Sequence, residues 1–426
     1  MGSDLTPYLK LRGMRSEVIG GITTFVSMAY IIVVNPAILS AAGLPTGPST
    51  VATILTAAFG TLLMGIYAKR PIAVAPYMGE NAFIAFGLAA FGITWQQRLG
   101  AVFVSGVIFL IITLIGIRTW LADAISPSMK QSFAAGIGLF LTFIGLVETG
   151  IVTTAQGVPV KIGNLTSRPV LLAIFGFILI AALLQRRIRG AILIGIIVTA
   201  TLGILLGEGH APRAIVAMPY SLAPIALQLD IASTLRLSFL PILLTLFLMS
   251  LLDTLGTLVA LDSSASIGDY KKPMLVDAVS CMFSGLVGTS TSGAYIESAT
   301  GIREGARTGM ASIVTAALFA MSLFFIPLFE PLQSLRYAYA PPLLIVGMLM
   351  LPAIAKIDFD DFTELVPAFA TIVVMVFTYN IANGLTAGLV LHPLMKVLAG
   401  RWREVRAGGI ALAALCLIYF LYGLPH

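Results

Sequence analysis

Charged residues are scarce in this sequence. Asp, Glu, Lys and Arg make up 10% of the 426 residues, whereas hydrophobic residues make up 58% and the mean hydropathy is +1.00. This composition excludes an ordinary water-soluble domain, whose surface carries more charge. Apolar runs of roughly 16–22 residues recur along the chain, close to the ~20 residues that a helix needs to span a bilayer. The sequence therefore predicts a protein that crosses the membrane many times.

Cysteine and histidine are also rare. The two cysteines, Cys281 and Cys416, lie in apolar surroundings, which argues against a disulfide framework and against a cysteine metal site. The three histidines, His210, His392 and His426, are too scattered to suggest a metal cluster. We therefore expect no metal and no cofactor.

Several functional motifs are missing as well. No phosphate-binding loop or nucleotide fingerprint is present, so nothing supports a pump driven by nucleotide hydrolysis. A convincing nucleophile–base pair is missing too, so we expect no catalytic residues and no enzyme activity. The formal charge of +6 would suggest a nucleic-acid partner in a soluble protein, but the positive-inside rule explains it more simply in a membrane protein.

Fourteen candidate spans fall into two groups of seven. They cover residues 18–40, 49–68, 79–92, 98–118, 128–147, 168–186 and 189–207, then 237–260, 273–288, 295–303, 307–328, 341–355, 364–380 and 382–399. An odd number of spans per half inverts the second half, so we predict an all-α polytopic membrane protein with fourteen transmembrane segments in a 7+7 inverted repeat. The apolar stretch 408–424 fits neither half; a fifteenth span, a re-entrant segment and an interfacial helix stay open.

Lys and Arg are concentrated on one side of this topology. "AKR" at 68–70, "QRRIR" at 185–189, "REGAR" at 303–307 and "RWREVR" at 401–406 all lie on the same side as the N-terminus. Because cytoplasmic connections carry an excess of Lys and Arg, we expect a multi-pass protein of the cell membrane with its N-terminus in the cytoplasm.

Two of the candidate spans are too short to cross a bilayer. Segments 79–92 and 295–303 occupy the third position of each half, and each follows a stretch rich in Gly with Pro, Ser or Thr. Interrupted segments at matching positions of two halves indicate a transporter site. We predict an extended stretch before each of these half-helices, with its polar backbone satisfied inside the protein.

A few carboxylates lie within the predicted spans. An acidic side chain at the centre of a transmembrane helix costs roughly 2.5–3.5 kcal/mol on insertion scales, so each is a candidate site residue. Glu80 with its neighbour Asn81, Asp253 and Glu297 are the candidates for substrate binding. The alternative for each is a protonated or hydrogen-bonded carboxylate, or a capping amide, that only fixes helix packing. We interpret Asp277, near the end of its span, as structural.

Neighbouring residues complete the candidate binding set. Tyr30 lies in the first span, where an aromatic ring could stack on a planar ligand, although a membrane tyrosine is more often part of the lipid belt or the core. Ala82, Thr254 and Ser298 directly follow candidate residues and are included with them.

Three stretches resemble a known family. "GTSTSGAYIESATGIREGARTG" at 288–309, "DTLGTL" at 253–258 and "MGENAF" at 78–83 are similar to the AzgA-like branch of the nucleobase/ascorbate transporter (xanthine/uracil permease) family, the hypoxanthine–guanine permeases. The functional Asn, Asp and Glu of that branch fall on Asn81, Asp253 and Glu297. This chain departs from the branch by placing Glu80 where an apolar residue is usual, which leaves the substrate and the coupling ion open.

The resemblance implies a division into a core domain, spans 1–4 and 8–11, and a gate domain, spans 5–7 and 12–14. The corresponding parts of this chain are 1–126 (core), 127–236 (gate), 237–330 (core) and 331–426 (gate, with the C-terminal apolar segment).

The resemblance also implies proton-coupled symport of purine bases of the hypoxanthine, guanine and adenine class into the cell by alternating access. A base needs both donors and acceptors, because an unpaired polar edge in a dry site costs about 1–3 kcal/mol. We expect Glu297 to hold the ligand and Asp253 to carry the proton, with Glu80 as the rival carrier and sodium as the alternative ion. Xanthine, uracil or another planar solute, and an anion on the same fold, are the alternative substrates; a homodimer stays open.

The charge pattern makes a topology prediction. Cysteine probes at Arg187 and Arg403 should react with a membrane-impermeant maleimide only from the cytoplasmic face, because both positions lie in basic connections. Labelling is measured in right-side-out and inverted vesicles. Reaction of either probe from the outer face of sealed vesicles would contradict the fourteen-span arrangement.

Overall fold

The structure is a computed structural model that describes residues 6–88, 91–117, 120, 124–155, 158–265 and 270–422, and it is mostly helical. The α-helices of these residues are α1 Thr6–Met28, α2 Ile31–Ser40, α3 Thr46–Leu63, α4 Met78–Ala82, α5 Trp95–Ile115, α6 Pro127–Glu148, α7 Arg168–Gln185, α8 Ala191–Leu205, α9 Ile231–Thr234, α10 Leu240–Ala265, α11 Lys271–Val287, α12 Ser298–Arg303, α13 Gly309–Ser322, α14 Ile326–Ser334, α15 Arg336–Tyr339, α16 Pro341–Met350, α17 Phe362–Phe377, α18 Ile381–Leu398 and α19 Ala407–Tyr422. π-Helical turns follow α3 and α4, at Met64–Ala68 and Phe83–Gly87, and 3₁₀ turns lie at Leu237–Phe239, Leu323–Phe325, Leu351–Lys356 and Trp402–Glu404. The strands are β1 Val74–Pro76, β2 Val152–Ala155, β3 Val158–Ile162 and β4 Ser292–Ala294.

The helices follow the predicted spans closely. Within the described ranges, nine helical stretches are long and apolar enough to cross a membrane, and α8 and α17 are shorter apolar helices at two further predicted positions. The two short spans are short helices here as well, α4 and α12. The number of fourteen crossings stays a prediction. The stretch 408–424 forms the helix α19 as far as residue 422, packed along α18; residues 423 and 424 lie outside the described residues.

The first span is broken in the middle. Helix α1 ends at Met28 and α2 begins at Ile31, so Tyr30 lies at the break. Pro36 within α2 has no N–H, which leaves the carbonyl of Ile32 without its usual helical donor. The side chain of Gln333 supplies that donor, since its Nε2 lies 2.9 Å from the Ile32 oxygen. A buried amide therefore replaces the hydrogen bond that proline removes, as a membrane interior requires.

The two predicted extended stretches pair with each other. Strands β1 and β4 are antiparallel, with Val74 opposite Ala294 and Pro76 opposite Ser292. The pairing continues one residue further at each end, where the N–H of Tyr77 donates to Thr291 (3.0 Å) and the N–H of Tyr295 donates to Ala73 (2.9 Å). The two added bonds are related by a two-fold axis through the ribbon, as expected for an inverted repeat.

Side chains satisfy the outer edges of this ribbon. The hydroxyl of Thr61 accepts from the N–H of Val74 (2.9 Å) and also lies 3.0 Å from its carbonyl oxygen. The carboxylate of Asp277 accepts from the N–H of Ala294 at 3.1 Å, and the hydroxyl of Ser298 accepts from the N–H of Ala73 at 2.9 Å. Asp277 therefore has the structural role that its position in the sequence predicts.

Two buried tyrosines lie across the ribbon. The rings of Tyr77 and Tyr295 stack with centroids 6.2 Å apart and an interplanar angle of 11°. The hydroxyl of Tyr295 donates to the carbonyl of Pro76 at 2.5 Å. Tyr77 fits only because residue 293 is glycine, since a Cβ there would lie 2.2 Å from the Tyr77 oxygen.

The substitution Gly293→Ala should lower the thermal stability of the purified protein, because the added methyl group overlaps Tyr77. Overpacking of this kind costs about 1–3 kcal/mol. Gly256→Ala is the matched control, since a Cβ at this helical position in α10 meets nothing within 4 Å. Alanine favours a helix over glycine, so the control should be neutral or slightly stabilising. Equal melting temperatures for Gly293→Ala and wild type would show that the ribbon tolerates the methyl group.

Candidate functional site

The predicted site residues gather around the ribbon and the broken helices. Tyr30 lies at the break between α1 and α2, Glu80 and Asn81 lie in α4, and Glu297 is the N-cap of α12. Asp253 and Thr254 lie within α10. The short helices α4 and α12 follow the two paired strands, and they bring residues as far apart in sequence as Tyr30 and Glu297 into contact.

Tyr30 contacts Glu297 directly. The Tyr30 hydroxyl donates to Oε1 of Glu297 at 2.8 Å, and the tyrosine is 2% exposed. Glu297 as a whole residue is only partly buried. Stacking of the Tyr30 ring on a ligand stays a prediction, and in the structure its hydroxyl is the hydrogen-bond donor that holds the Glu297 carboxylate. One oxygen is engaged by the tyrosine, and the partly exposed group can accept a second donor from a ligand.

Glu80 and Asp253 form a second acidic centre. Their carboxyl groups lie close enough to interact directly, and the hydroxyl of Ser250 is 3.5 Å from Oε1 of Glu80. Glu80 is fully buried, whereas Asp253 is partly exposed. Two carboxylates that interact directly repel each other when both are ionised.

Thr254 points to the ribbon. Its hydroxyl lies 3.0 Å from the hydroxyl of Tyr77, and the threonine is fully buried. The contact ties α10 to the start of α4 next to Asp253. Ser298 also points to the ribbon through its bond to Ala73, and Ala82 is fully buried in the helical core. The structure therefore engages Thr254 and Ser298 in holding the site together.

Asn81 belongs to a buried polar network that includes Asn35. The amide of Asn81 donates to Oδ1 of Asn35 at 2.8 Å, and Ser290 donates to the same oxygen at 3.2 Å. Asn35 in turn donates to the hydroxyls of Thr53 and Thr289, each at 2.8 Å. A residue two positions before Asn81, Gly79, faces Ile137 of α6, so Asn81 points to the opposite side of its helix.

The donors and acceptors of this network determine how the side-chain amides of Asn35 and Asn81 are oriented. The Thr53 hydroxyl donates to the carbonyl of Ser49 at 2.8 Å, so its oxygen can only accept from Asn35. The NH₂ group of Asn35 must then face Thr53, and its carbonyl must face Asn81. Asn81 consequently gives its own NH₂ group to Asn35 and presents Oδ1 elsewhere. Among the described residues this oxygen has no hydrogen-bond partner.

Sequence reasoning missed Asn35 and Tyr77. Asn35 is the polar residue in the apolar run "IIVVNPAIL", and this isolation was the available signal. Tyr77 directly precedes the "MGENAF" stretch and carries no charge, so its contact with Thr254 required the ribbon register.

A charged cluster lies at the ends of α17 and α18, away from these residues. Lys396 is 3.0 Å from Glu364 and 3.2 Å from Glu404, and His392 is 3.1 Å from Glu364. Hydrogen bonds from Thr363 and from Arg401 hold the pKa of Asp361 well below its usual value. The cluster lines a cavity of about 310 Å³, and because its carboxylates and cations neutralise one another, it is a structural clamp between helix ends.

The sequence is similar to several known permeases over most of its length. A candidate permease of Methanocaldococcus jannaschii is 46% identical to this chain, over 96% of this chain and 95% of its own length. Adenine permease AdeP of Escherichia coli is 38% identical over 96% of this chain and 93% of its own, and guanine/hypoxanthine permease PbuG of Bacillus subtilis is 39% identical over 96% of each.

A solved structure shares the fold. The transmembrane domain of the cyanobacterial bicarbonate transporter BicA matches with a TM-score of 0.66 and 20% identity, over 87% of this chain and 97% of that one. This likeness concerns the fold alone and confirms the predicted class, an all-α membrane protein with the inverted-repeat transporter fold, while the count of fourteen spans stays a prediction. The profile of the family described as "Permease family", the xanthine/uracil permeases, matches residues 15–386. The resemblance found in the sequence is thereby confirmed, and the chain belongs to the xanthine/uracil permease family, which consists of membrane transporters rather than enzymes.

Proposed function

We propose that this permease takes up purine nucleobases by proton-coupled symport. The relatives named as adenine and guanine/hypoxanthine permeases support the substrate class. The observation that carries the proposal is the bond between Tyr30 and Glu297, which holds a partly exposed carboxylate beside the ribbon. A carboxylate accepts hydrogen bonds only, and every purine base carries ring or exocyclic N–H groups that can donate to it.

The remaining candidates complete the proposed site. Glu297 accepts from one edge of the base, and Oδ1 of Asn81 is the unpaired acceptor that this amide could offer. Tyr30, Thr254 and Ser298 act by holding the elements in place. Ala82 contributes shape to the wall of the site.

An anion carrier on the same fold is the second candidate substrate class. The bicarbonate transporter BicA has this fold. Three carboxylates, Glu80, Asp253 and Glu297, lie around the ribbon of this chain, and each would repel an anion when ionised. The local charge therefore favours a neutral ligand with N–H groups; uracil and xanthine share that chemistry and are tested beside the purines.

Proton coupling follows from the pair of Glu80 and Asp253. A neutral base carries no charge, so its accumulation needs an ion. Moving one proton inward through 100 mV of membrane potential yields about 2.3 kcal/mol, which corresponds to a nearly fiftyfold gradient. Because the two carboxyl groups interact directly, we assign the transported proton to the pair, with Asp253 as the exposed member that exchanges it.

The proposal includes the arrangement in the cell. The protein lies in the cell membrane with a cytoplasmic N-terminus, as the basic connections predict. The helices pack in two groups, which support the proposed core and gate domains; the first group contains α1, α3, α5 and α10–α13, and the second contains α6–α8 and α16–α19. Light scattering of the purified protein distinguishes a monomer from a homodimer.

Removal of the Glu297 charge should abolish tight binding of the base. Glu297→Gln should weaken equilibrium binding of hypoxanthine, guanine or adenine by roughly 10- to 150-fold, the range for a hydrogen bond to a charged group, and Tyr30→Phe by roughly 2- to 10-fold. Binding is measured by calorimetry on purified protein. The pair Tyr220 and Glu330 is the matched control, because the Tyr220 hydroxyl also donates to a glutamate (3.0 Å) but at the exposed surface.

Tyr220→Phe and Glu330→Gln should therefore keep wild-type affinity. Unchanged affinity in Glu297→Gln would remove Glu297 from the site. Binding of bicarbonate or sulfate in place of any base by the wild-type protein would favour the anion carrier.

Neutralising Asp253 should separate exchange from accumulation. Asp253→Asn should exchange base between preloaded vesicles at a near wild-type rate but fail to accumulate it under a pH gradient, because residue 253 can then neither bind nor release a proton. Asp277→Asn is the control, since Asp277 is a fully buried acid that bonds the ribbon, and asparagine can still accept from Ala294. It should retain accumulation.

If Asp253→Asn accumulates base normally while Glu80→Gln does not, the exchanging member of the pair is Glu80. Uptake by the wild-type protein that responds to a sodium gradient and not to a pH gradient would replace the proton with sodium.

A further inference from the structure

The connection between α17 and α18 contains a strained residue. Helix α17 ends in a turn in which the N–H of Asn380 donates to the carbonyl of Met375 at 3.1 Å, which places Tyr379 at the left-handed position with φ 54°. Glycine is the usual residue at this position of a helix-ending turn, because a side chain there is strained. Strained residues of this kind concentrate at functional sites. We therefore expect the ring of Tyr379 to make contacts that matter for function.

The ring of Tyr379 fills a cluster of aromatic side chains. Phe140 and Phe143 of α6 lie 5.5 Å and 5.6 Å away, and Phe86 lies 6.4 Å away with an interplanar angle of 75°. Phe86 belongs to the π-helical turn that follows α4, whereas the other three residues belong to the second group of helices. The ring thus joins the end of the third segment to the proposed gate domain.

Asn380 makes a polar contact at the same junction. Its side-chain oxygen caps α18 by accepting from Ala382 at 2.8 Å, and its NH₂ group donates to the carbonyl of Gly87 at 3.2 Å. The preceding carbonyls of Ile84 and Ala85 are held by Arg98, at 2.7 Å and 3.1 Å. The end of the third segment is therefore held by one donor from its own group of helices and by one donor from the other group.

The first repeat has an equivalent connection between α7 and α8. Helix α7 ends in the same kind of turn, in which Ile188 donates to Leu183 at 3.0 Å and Arg187 occupies the left-handed position with φ 55°. Two residues later, Arg189 forms an ion pair with Glu304, which is the C-cap of α12. Each connection thus contacts the final turn of the short helix that belongs to the other repeat.

We propose that these two contacts are the latches of alternating access, one for each face of the membrane. The outer latch consists of Tyr379 and Asn380 on Phe86 and Gly87, and the inner latch consists of Arg189 on Glu304. Because each joins the proposed core domain to the proposed gate domain, the site opens to a face only when the latch on that face separates. The inference rests on the proposed core and gate division and not on the identity of the substrate.

The chemistry of the two latches differs. The Arg189 and Glu304 side chains are 54% and 26% exposed, so added salt screens their attraction. Asn380 is 3% exposed and its contacts are a hydrogen bond and aromatic packing, which salt affects little. High salt should therefore loosen the inner latch selectively.

A reporter cysteine measures the opening of each face. Ile137→Cys places a thiol at the boundary of the two groups, where the Ile137 side chain faces Gly79, in a background in which Cys281 and Cys416 are alanine. A membrane-impermeant maleimide is applied to the outer face in right-side-out vesicles and to the inner face in inverted vesicles. Labelling needs no substrate, so its result is independent of the proposed transport of bases.

Asn380→Ser tests the outer latch, because serine still caps α18 but is too short to reach Gly87. It should raise labelling from outside roughly 2- to 10-fold, the range for one hydrogen bond, and lower labelling from inside. Tyr379→Gly removes the ring contacts with Phe86, Phe140 and Phe143 and relieves the backbone strain, so it should also raise outside labelling. Phe377→Ala, 82% exposed on the same helix end, is the control and should change neither rate.

Glu304→Gln tests the inner latch and should produce the opposite pattern, with faster labelling from inside and slower labelling from outside. High salt should reproduce this pattern in the wild-type background but not add to Glu304→Gln. The proposal is overturned if Asn380→Ser and Tyr379→Gly both leave outside labelling unchanged, or if variants of the two latches change labelling at both faces in the same direction.

Discussion

The need to satisfy backbone polar groups away from water governs the centre of this protein. An extended chain inside a bilayer exposes N–H and C=O groups that lipid cannot bond. Here two such stretches, β1 and β4, bond each other, and Thr61, Asp277 and Ser298 bond their outer edges. Because the repeats are inverted, the two extended stretches run antiparallel and lie side by side. Their hydrogen bonds to each other offset the free-energy cost of interrupting the two helices.

The same constraint explains why the acids are where they are. Once the ribbon is closed, the residues that follow each strand are held within a few ångströms of helices from the other repeat. Glu297 meets Tyr30, and Glu80 meets Asp253, although each pair is separated by more than 170 positions in sequence. The two acidic centres are thus consequences of one backbone arrangement, which in the proposed function lets ligand binding and proton binding influence each other through a rigid element.

Much of this could be predicted from the sequence. The spans follow from hydrophobic length, the inverted repeat follows from the odd number of segments per half, and the extended stretches follow from glycine, proline and hydroxyl residues before two short segments. The roles of individual side chains were harder to predict. The hydroxyl of Tyr30 bonds Glu297, and no periodicity in the sequence indicates the partner of a hydroxyl group. Asn35, Tyr77 and Gln333 act through contacts with distant segments, so their roles depend on the register of the ribbon and on helix packing, which the sequence pattern leaves unspecified.

The hydrogen-bond chain from Ser49 to Asn81 runs in one direction only. Thr53 donates to the backbone carbonyl of Ser49 in α3, Asn35 donates to Thr53, and Asn81 donates to Asn35. The first acceptor is a backbone group, so no substitution can remove it. The acceptor that Asn81 presents is therefore set by a backbone carbonyl two side chains away. A variant of this family that needs a donor at this place cannot obtain it by rotating the Asn81 amide alone, because the amide of Asn35 and the hydroxyl of Thr53 would have to reorient with it.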